Sequence, residues 1–149
     1  RHIKRIDEIR ELADRNGFEH VMWSEMDAPV APGKLVLVDT VGELFSIYSL
    51  ATVAVVGGSF VPAGGHNIVE AAVWGVPVIS GAYYSNFKNI VESYIEEGGL
   101  IIAKNEKELY NNAVELLESS EKRTMLGERN IRLTEKMKAA IENNISGIL

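Results

Sequence analysis

The chain has 149 residues, 46% of them apolar and 24% charged, a balance that suits one globular domain with a real core. It holds no cysteine, which excludes disulfides, thiolate metal sites and a thiol nucleophile and fits the cytosol. A formal net charge of −6 argues against a nucleic-acid binder with a broad basic face, and no apolar run reaches the roughly 18 residues that a membrane span needs.

The opening Arg1-His2-Ile3-Lys4-Arg5 has no initiator Met and no signal peptide, so the chain reads as a piece of a longer protein or a processed one. Ile6, Ile9, Leu12 and Ala13 fall at helical spacing and predict an amphipathic helix over 4–16, stopped by Asn16-Gly17. A short strand is expected over Phe18 to Trp23 and a second over Lys34 to Val38. Asp39-Thr40 then caps a helix expected over 41–50. Thr52 to Val56 is almost wholly apolar, as befits a parallel strand covered on both faces. A glycine-rich connection leads to a helix over 67–74, and a strand over 76–80 follows. A helix over 86–97 and a strand over 100–103 come next. Asn105 with Glu108 makes a capping-box pattern for a helix through Leu117, and one or two terminal helices are expected from about 121 to 149. Strand and helix alternate with short connections, which predicts an α/β fold, a Rossmann-like, doubly wound parallel sheet filling the chain as a single domain. Ligands of such sheets sit at the carboxyl ends of the strands.

The run from Gly57 to Glu70 carries the most chemistry. Its four glycines, Gly57, Gly58, Gly64 and Gly65, let backbone N–H groups approach a bound group, and the helix start beyond them favours an anion. It lacks the Gly-Lys-Ser/Thr of a phosphate-binding P-loop and the Gly-x-Gly-x-x-Gly of a dinucleotide fold, and its length leaves room for more than a phosphate. Asn67 and Glu70 either hold a sugar hydroxyl or cap their own helix. His66 either positions a ligand or acts as an acid or base. Gly42-Glu43 either offers N–H groups beneath a nucleotide or favours the helix dipole. Tyr83, Tyr84, Asn86, Phe87 and Lys88 form a cluster that either packs on a ligand, with Lys88 offsetting its charge, or is ordinary loop packing. Ile131, Met137, Ile141 and Ile145 share one helix face, for packing or for a membrane surface. No His/Asp/Glu grouping has metal-ligand spacing, no Asp-x-Asp pair is present, and Ser59 is in no nucleophile elbow.

Gly57-Gly58-Ser59, Gly64-Gly65-His66-Asn67 and Glu70-Ala71-Ala72 together resemble the C-terminal half of the 3-deoxy-D-manno-octulosonic acid (Kdo) transferases of lipopolysaccharide synthesis. Asp39-Thr40, Gly42-Glu43-Leu44, Tyr48, Pro77-Val78, Asn86-Phe87-Lys88 and the opening Arg1-His2 with Arg5 are similar to that family too, so that the likeness covers nearly all of the chain up to about residue 130. The resemblance implies the C-terminal half of a GT-B glycosyltransferase, which binds the donor CMP-Kdo, with the acceptor-binding N-terminal domain absent. It implies an inverting, metal-independent enzyme without a cofactor, moving Kdo onto lipid A precursor at the cytoplasmic face of the bacterial inner membrane. No catalytic residue is then expected in this chain, because the base is a carboxylate of the N-terminal domain; membrane association is not expected from this chain either. The implied donor-binding residues are Arg1, on the CMP phosphate; Gly42 and Glu43, near the nucleotide; Gly58 and Ser59, near the phosphate or the Kdo carboxylate; Asn67, at the helix start; and Glu70, on the ribose hydroxyls. His66 and Lys88 supply local positive charge. The other readings are a C-terminal GT-B domain that uses a UDP-sugar and a non-catalytic Rossmann-like interaction module.

Overall fold

The computed structural model describes residues 5–146 and divides the chain into two compact units, one up to Leu44 and one from Phe45 onward.

In the first unit, helix α1 (Ile6–Arg15) leads to strand β1 (His20–Met22), a 3-10 turn (Trp23–Glu25) and strand β2 (Leu35–Leu37). Surface ion pairs at helical spacing, Arg5–Glu8 and Arg15–Glu11, lie along α1, and Asn16 closes it by donating Nδ2–H to Leu12 O at 2.8 Å. Only Ala13 of α1 is buried; Leu12 is 60% exposed. β1 and β2 pair in parallel, with Val21 opposite Val36. Asp39 receives the backbone N–H and the hydroxyl of Ser24, which joins the chain just after β1 to the chain just after β2. These hydrogen bonds hold its carboxyl below the usual range.

The helix expected over 41–50 begins later and is shorter. Gly42 has φ +100°, a left-handed conformation that no continuous α-helix passes through. Helix α2 therefore runs only over Leu44–Ile47, followed by a 3-10 turn, Tyr48–Leu50.

The second unit is built on three parallel strands, β3 (Ala54–Val56), β4 (Val78–Ser80) and β5 (Leu100–Ile102), in the order β3-β4-β5. Helix α3 (Val69–Ala72) lies between β3 and β4, and helix α4 (Lys88–Glu96) lies between β4 and β5 after a 3-10 turn at Ser85–Phe87. Helix α5 (Glu106–Glu118) starts at Asn105, whose Oδ1 accepts Glu108 N–H at 2.9 Å, the first arm of the expected capping box, while the Glu108 carboxylate reaches one residue further back and accepts Lys104 N–H at 2.8 Å. Helix α6 (Ser120–Ser146) is one continuous element of 27 residues.

Alternation along β4 sends its side chains into two cores, which explains its wholly apolar start. Val78 joins Ala54, Val56, Ile68, Ala71, Val91, Tyr94 and Leu133 on one face. Ile79 joins Ala103, Leu116 and Leu126 on the other. Helices cover both faces, which is the doubly wound arrangement the sequence predicts. Tyr94 and Thr134 link α4 to α6 through their hydroxyls, 2.7 Å apart. Met137 packs on the first core, Ile131 is 41% exposed, and the side chains of Ile141 and Ile145 lie outside the described residues.

Candidate functional site

The loop between β3 and α3 is pinned rather than loose. Ser59 is fully buried; its hydroxyl donates to Val56 O at 2.7 Å and accepts Gly81 N–H at 2.8 Å. Ser59 O also accepts Tyr83 N–H at 2.9 Å, so one residue ties together the chain beyond the carboxyl ends of β3 and β4. Gly81 is required there, because a Cβ on it would lie 2.1 Å from Ser59 O. The family resemblance implies that Ser59 lies near the donor phosphate or the Kdo carboxylate; the structure places its hydroxyl inside the fold, where it positions the loop. Gly81 carried no sequence signal beyond being a glycine after a strand.

Gly65 N–H closes the loop onto Gly58 O at 2.9 Å. Asn86 holds the far side, donating its backbone N–H to Gly64 O at 3.0 Å and its side-chain amide to Ala63 O at 3.4 Å. The exposed imidazole of His66 lies against the Cα of Gly58, where an added Cβ would be 3.0 Å from Nε2. Gly58, His66, Asn67 and Glu70 are thus brought to one end of the sheet.

Asn67 accepts Val69 N–H on Oδ1 at 3.1 Å and donates Nδ2–H to Glu70 Oε1 at 3.4 Å. Both residues are half-buried. The pair reproduces only part of a capping box, and α3 is a single turn of four residues, shorter than the expected 67–74. The helix dipole is correspondingly small, and the backbone N–H groups of the loop are the main attraction for an anion.

Across Gly64 from this loop lies a recess of about 360 Å³, lined by Pro62, Gly64, Ala82, Tyr83, Tyr84, Ser85, Lys88 and Glu92. Lys88, the first residue of α4, is exposed and stands 3.8 Å from the Glu92 carboxylate. A larger recess, about 560 Å³, lies by the carboxyl end of α4, lined by Glu96, Glu97, Arg129 and Lys136 among others. Arg129 there donates to Gly98 O and Lys136 pairs with Glu97; Arg132 lines it as well, and none of its lining residues belongs to the glycine loop.

The remaining expected residues lie in the first unit or outside the described residues. Gly42 and Glu43 are exposed in or beside the first unit's last turn, where Glu43 accepts the hydroxyl of Thr40. Arg1 lies outside the described residues. Among the described residues no group of three or more His, Cys, Asp or Glu side chains is placed to hold a metal ion, and no helix is long and apolar enough to cross a membrane.

Comparison with known proteins adds an independent line. The chain is 36% identical over 117 residues to a 3-deoxy-D-manno-octulosonic acid transferase of Aquifex aeolicus, covering 78% of this chain and 32% of that protein. It is 31% identical over 143 residues to the enzyme of the same name in Haemophilus influenzae, covering 95% and 34%. The chain thus spans about a third of the length of these relatives. Its structure is similar to the crystal structure of the C-terminal CMP-Kdo binding domain of WaaA from Acinetobacter baumannii, with a TM-score of 0.83 and 32% identity, covering 90% of this chain and 70% of that one. The family described as glycosyl transferases group 1 matches residues 35–133, more than half of the chain and the stretch that holds the glycine loop and both cores. The chain belongs to the group 1 glycosyl transferases.

Proposed function

We propose that this chain is the donor-binding half of a Kdo transferase, holding CMP-Kdo while the sugar passes to lipid A precursor in lipopolysaccharide synthesis. One observation carries the reading: a glycine loop pinned at the strand ends and followed at once by the Asn67–Glu70 pair, in a domain similar to one that binds CMP-Kdo. The loop's N–H groups surround the phosphate. Glu70 accepts the ribose hydroxyls and Asn67 sets its position, while His66 adds a donor beside Gly58. Because the chain is net acidic, an anionic donor is held by these local groups rather than by the overall field.

Catalysis then rests on donors already in place around the phosphate when charge develops on the departing CMP. Closure against an acceptor domain aligns the acceptor hydroxyl and excludes water. In this reading the base is a carboxylate of that other domain, inversion occurs at the anomeric carbon, and neither metal nor cofactor takes part. The whole enzyme works at the cytoplasmic face of the inner membrane.

The test is thermal melting of the 149-residue chain with CMP, UMP or UDP. A ligand of the folded state at a hundred times its Kd adds about 2.7 kcal/mol of stability. CMP is expected to raise the midpoint most, and Glu70→Ala to remove most of that rise. Preference for UDP, or no shift with any nucleotide, overturns the proposal.

A further inference from the structure

The recess of about 560 Å³ between the end of α4 and α6 lies at the amino ends of the strands. Gly98 on its wall leads into β5, and Asn130, next to Arg129, donates its amide to Val76 O just before β4. The glycine loop follows β3 at the carboxyl end, and the three strands are parallel, so the two places stand at opposite ends of the sheet. Donor binding at the loop leaves the charges of this recess without a task.

Its two walls carry opposite signs. Arg129, Arg132 and Lys136 recur at helical spacing along α6, while Glu96 and Glu97 stand at the carboxyl end of α4, where the helix dipole is negative. The fold uses only part of this charge. Arg129 caps α4 through Gly98 O at 3.0 Å. Lys136 and Glu97 are 3.3 Å apart with side chains 75% and 54% exposed, and such a pair stabilises a fold very little. The side chains of Arg132 and Glu96 line the recess with no hydrogen-bond or ion-pair partner among the described residues.

A plain phosphate meets the carboxylates here, and a plain amine meets the cations. A ligand that bears both a phosphate and an ammonium satisfies both walls: the guanidiniums donate to phosphate oxygens, and the carboxylates accept from the ammonium. Leu133 gives an apolar floor to the carbons between the two charges. The volume falls inside the range of ligand sites, about 300–1,000 Å³. Glu121, Glu128 and Glu135 recur along α6 and are exposed, which sets this helix against an anionic bilayer and favours a soluble ligand over a lipid head group.

We propose that this recess binds a small soluble phosphate ester that carries a primary ammonium, with Arg132 beside Arg129 on the phosphate and Glu96 beside Glu97 on the ammonium. It is a second ligand site of the chain and does not depend on the donor-binding function proposed above.

NMR titration of the 149-residue chain with O-phosphoethanolamine, inorganic phosphate and ethanolamine tests this. Phosphoethanolamine is expected to shift the Gly98 and Arg132 amides and to bind at least about tenfold more tightly than phosphate or ethanolamine. Arg132→Gln is expected to weaken it about tenfold with the urea midpoint unchanged, and Glu96→Gln to erase its advantage over phosphate. Equally tight binding of phosphate, no shift at these amides, or undiminished binding by Arg132→Gln overturns the site and leaves the donor reading standing. Failure of the chain to bind CMP overturns the donor reading alone.

Discussion

Gly64 has φ +86°, and a Cβ there would lie 2.4 Å from the Asn86 amide. Alanine therefore adds left-handed strain of about 1–2 kcal/mol and displaces the side chain that pins the loop, worth about 0.5–1.5 kcal/mol per hydrogen bond. Gly64→Ala is expected to destabilise the chain by about 1.5–3.5 kcal/mol in urea unfolding. Asp39 responds to acid. Its folded pKa is depressed by the two bonds from Ser24, so its contribution is present above the ordinary carboxylate range and is lost as pH falls through the lower folded value. A pH titration followed at the Ser24 amide by NMR should show that loss below the ordinary aspartate range, and Asp39→Asn should flatten it. Residue types were legible here and their hydrogen bonds were not. Asp39 read as a helix cap, yet it bonds fifteen residues back, to Ser24. Ser59 read as a ligand contact, yet its hydroxyl serves two strands. Such partners come from tertiary neighbours that local spacing does not encode.

At the scale of elements, the strands were legible because their apolar runs are bounded by glycine, proline and polar residues. All five form within the expected ranges. The helices were less so. α2 shrank because of Gly42, and the one or two helices expected at the end proved to be a single α6. Gly127 sits inside α6 although glycine usually weakens a helix by about 0.5–1 kcal/mol relative to alanine. The reason is a close approach: a Cβ on Gly127 would lie 2.3 Å from Gly75 O, at the turn after α3. A backbone carbonyl cannot swing aside, and overpacking costs about 1–3 kcal/mol, so strain wins over propensity. Gly127→Ala is expected to lower stability by about 1–2 kcal/mol, where an exposed helical glycine would gain. Chemical unfolding measures the sign directly. The same contact brings the backbone of α6 at Gly127 onto the Gly75 turn, which no pattern in either segment announces.

For the whole molecule, the α/β class followed from alternation and the glycine loop pointed to the sheet end that carries the candidate site. The recess beside Gly64 was not legible, because Pro62 and Gly64 meet the residues from Ala82 to Glu92 through the β3–β4 pairing and the bonds of Asn86 to Gly64 and Ala63. On the proposed division of labour, the chain alone should bind CMP and transfer no Kdo to a lipid A precursor, since no group in it is assigned the role of base. Radiolabelled transfer assays, with a full-length Kdo transferase as positive control, check this; turnover by the chain alone would sink the division.

The reach of α6 has a consequence for the order in which the molecule is made. Leu126 covers the core beneath Ile79, whereas Leu133 covers the core beneath Val78. Neither layer is closed until the last described helix has been added. At about 5–20 residues per second, synthesis of its 27 residues takes about 1–5 s. During that interval a nascent chain carries both cores open at once, which makes this late segment, and not the glycine loop, the point where chaperone contact during translation should concentrate.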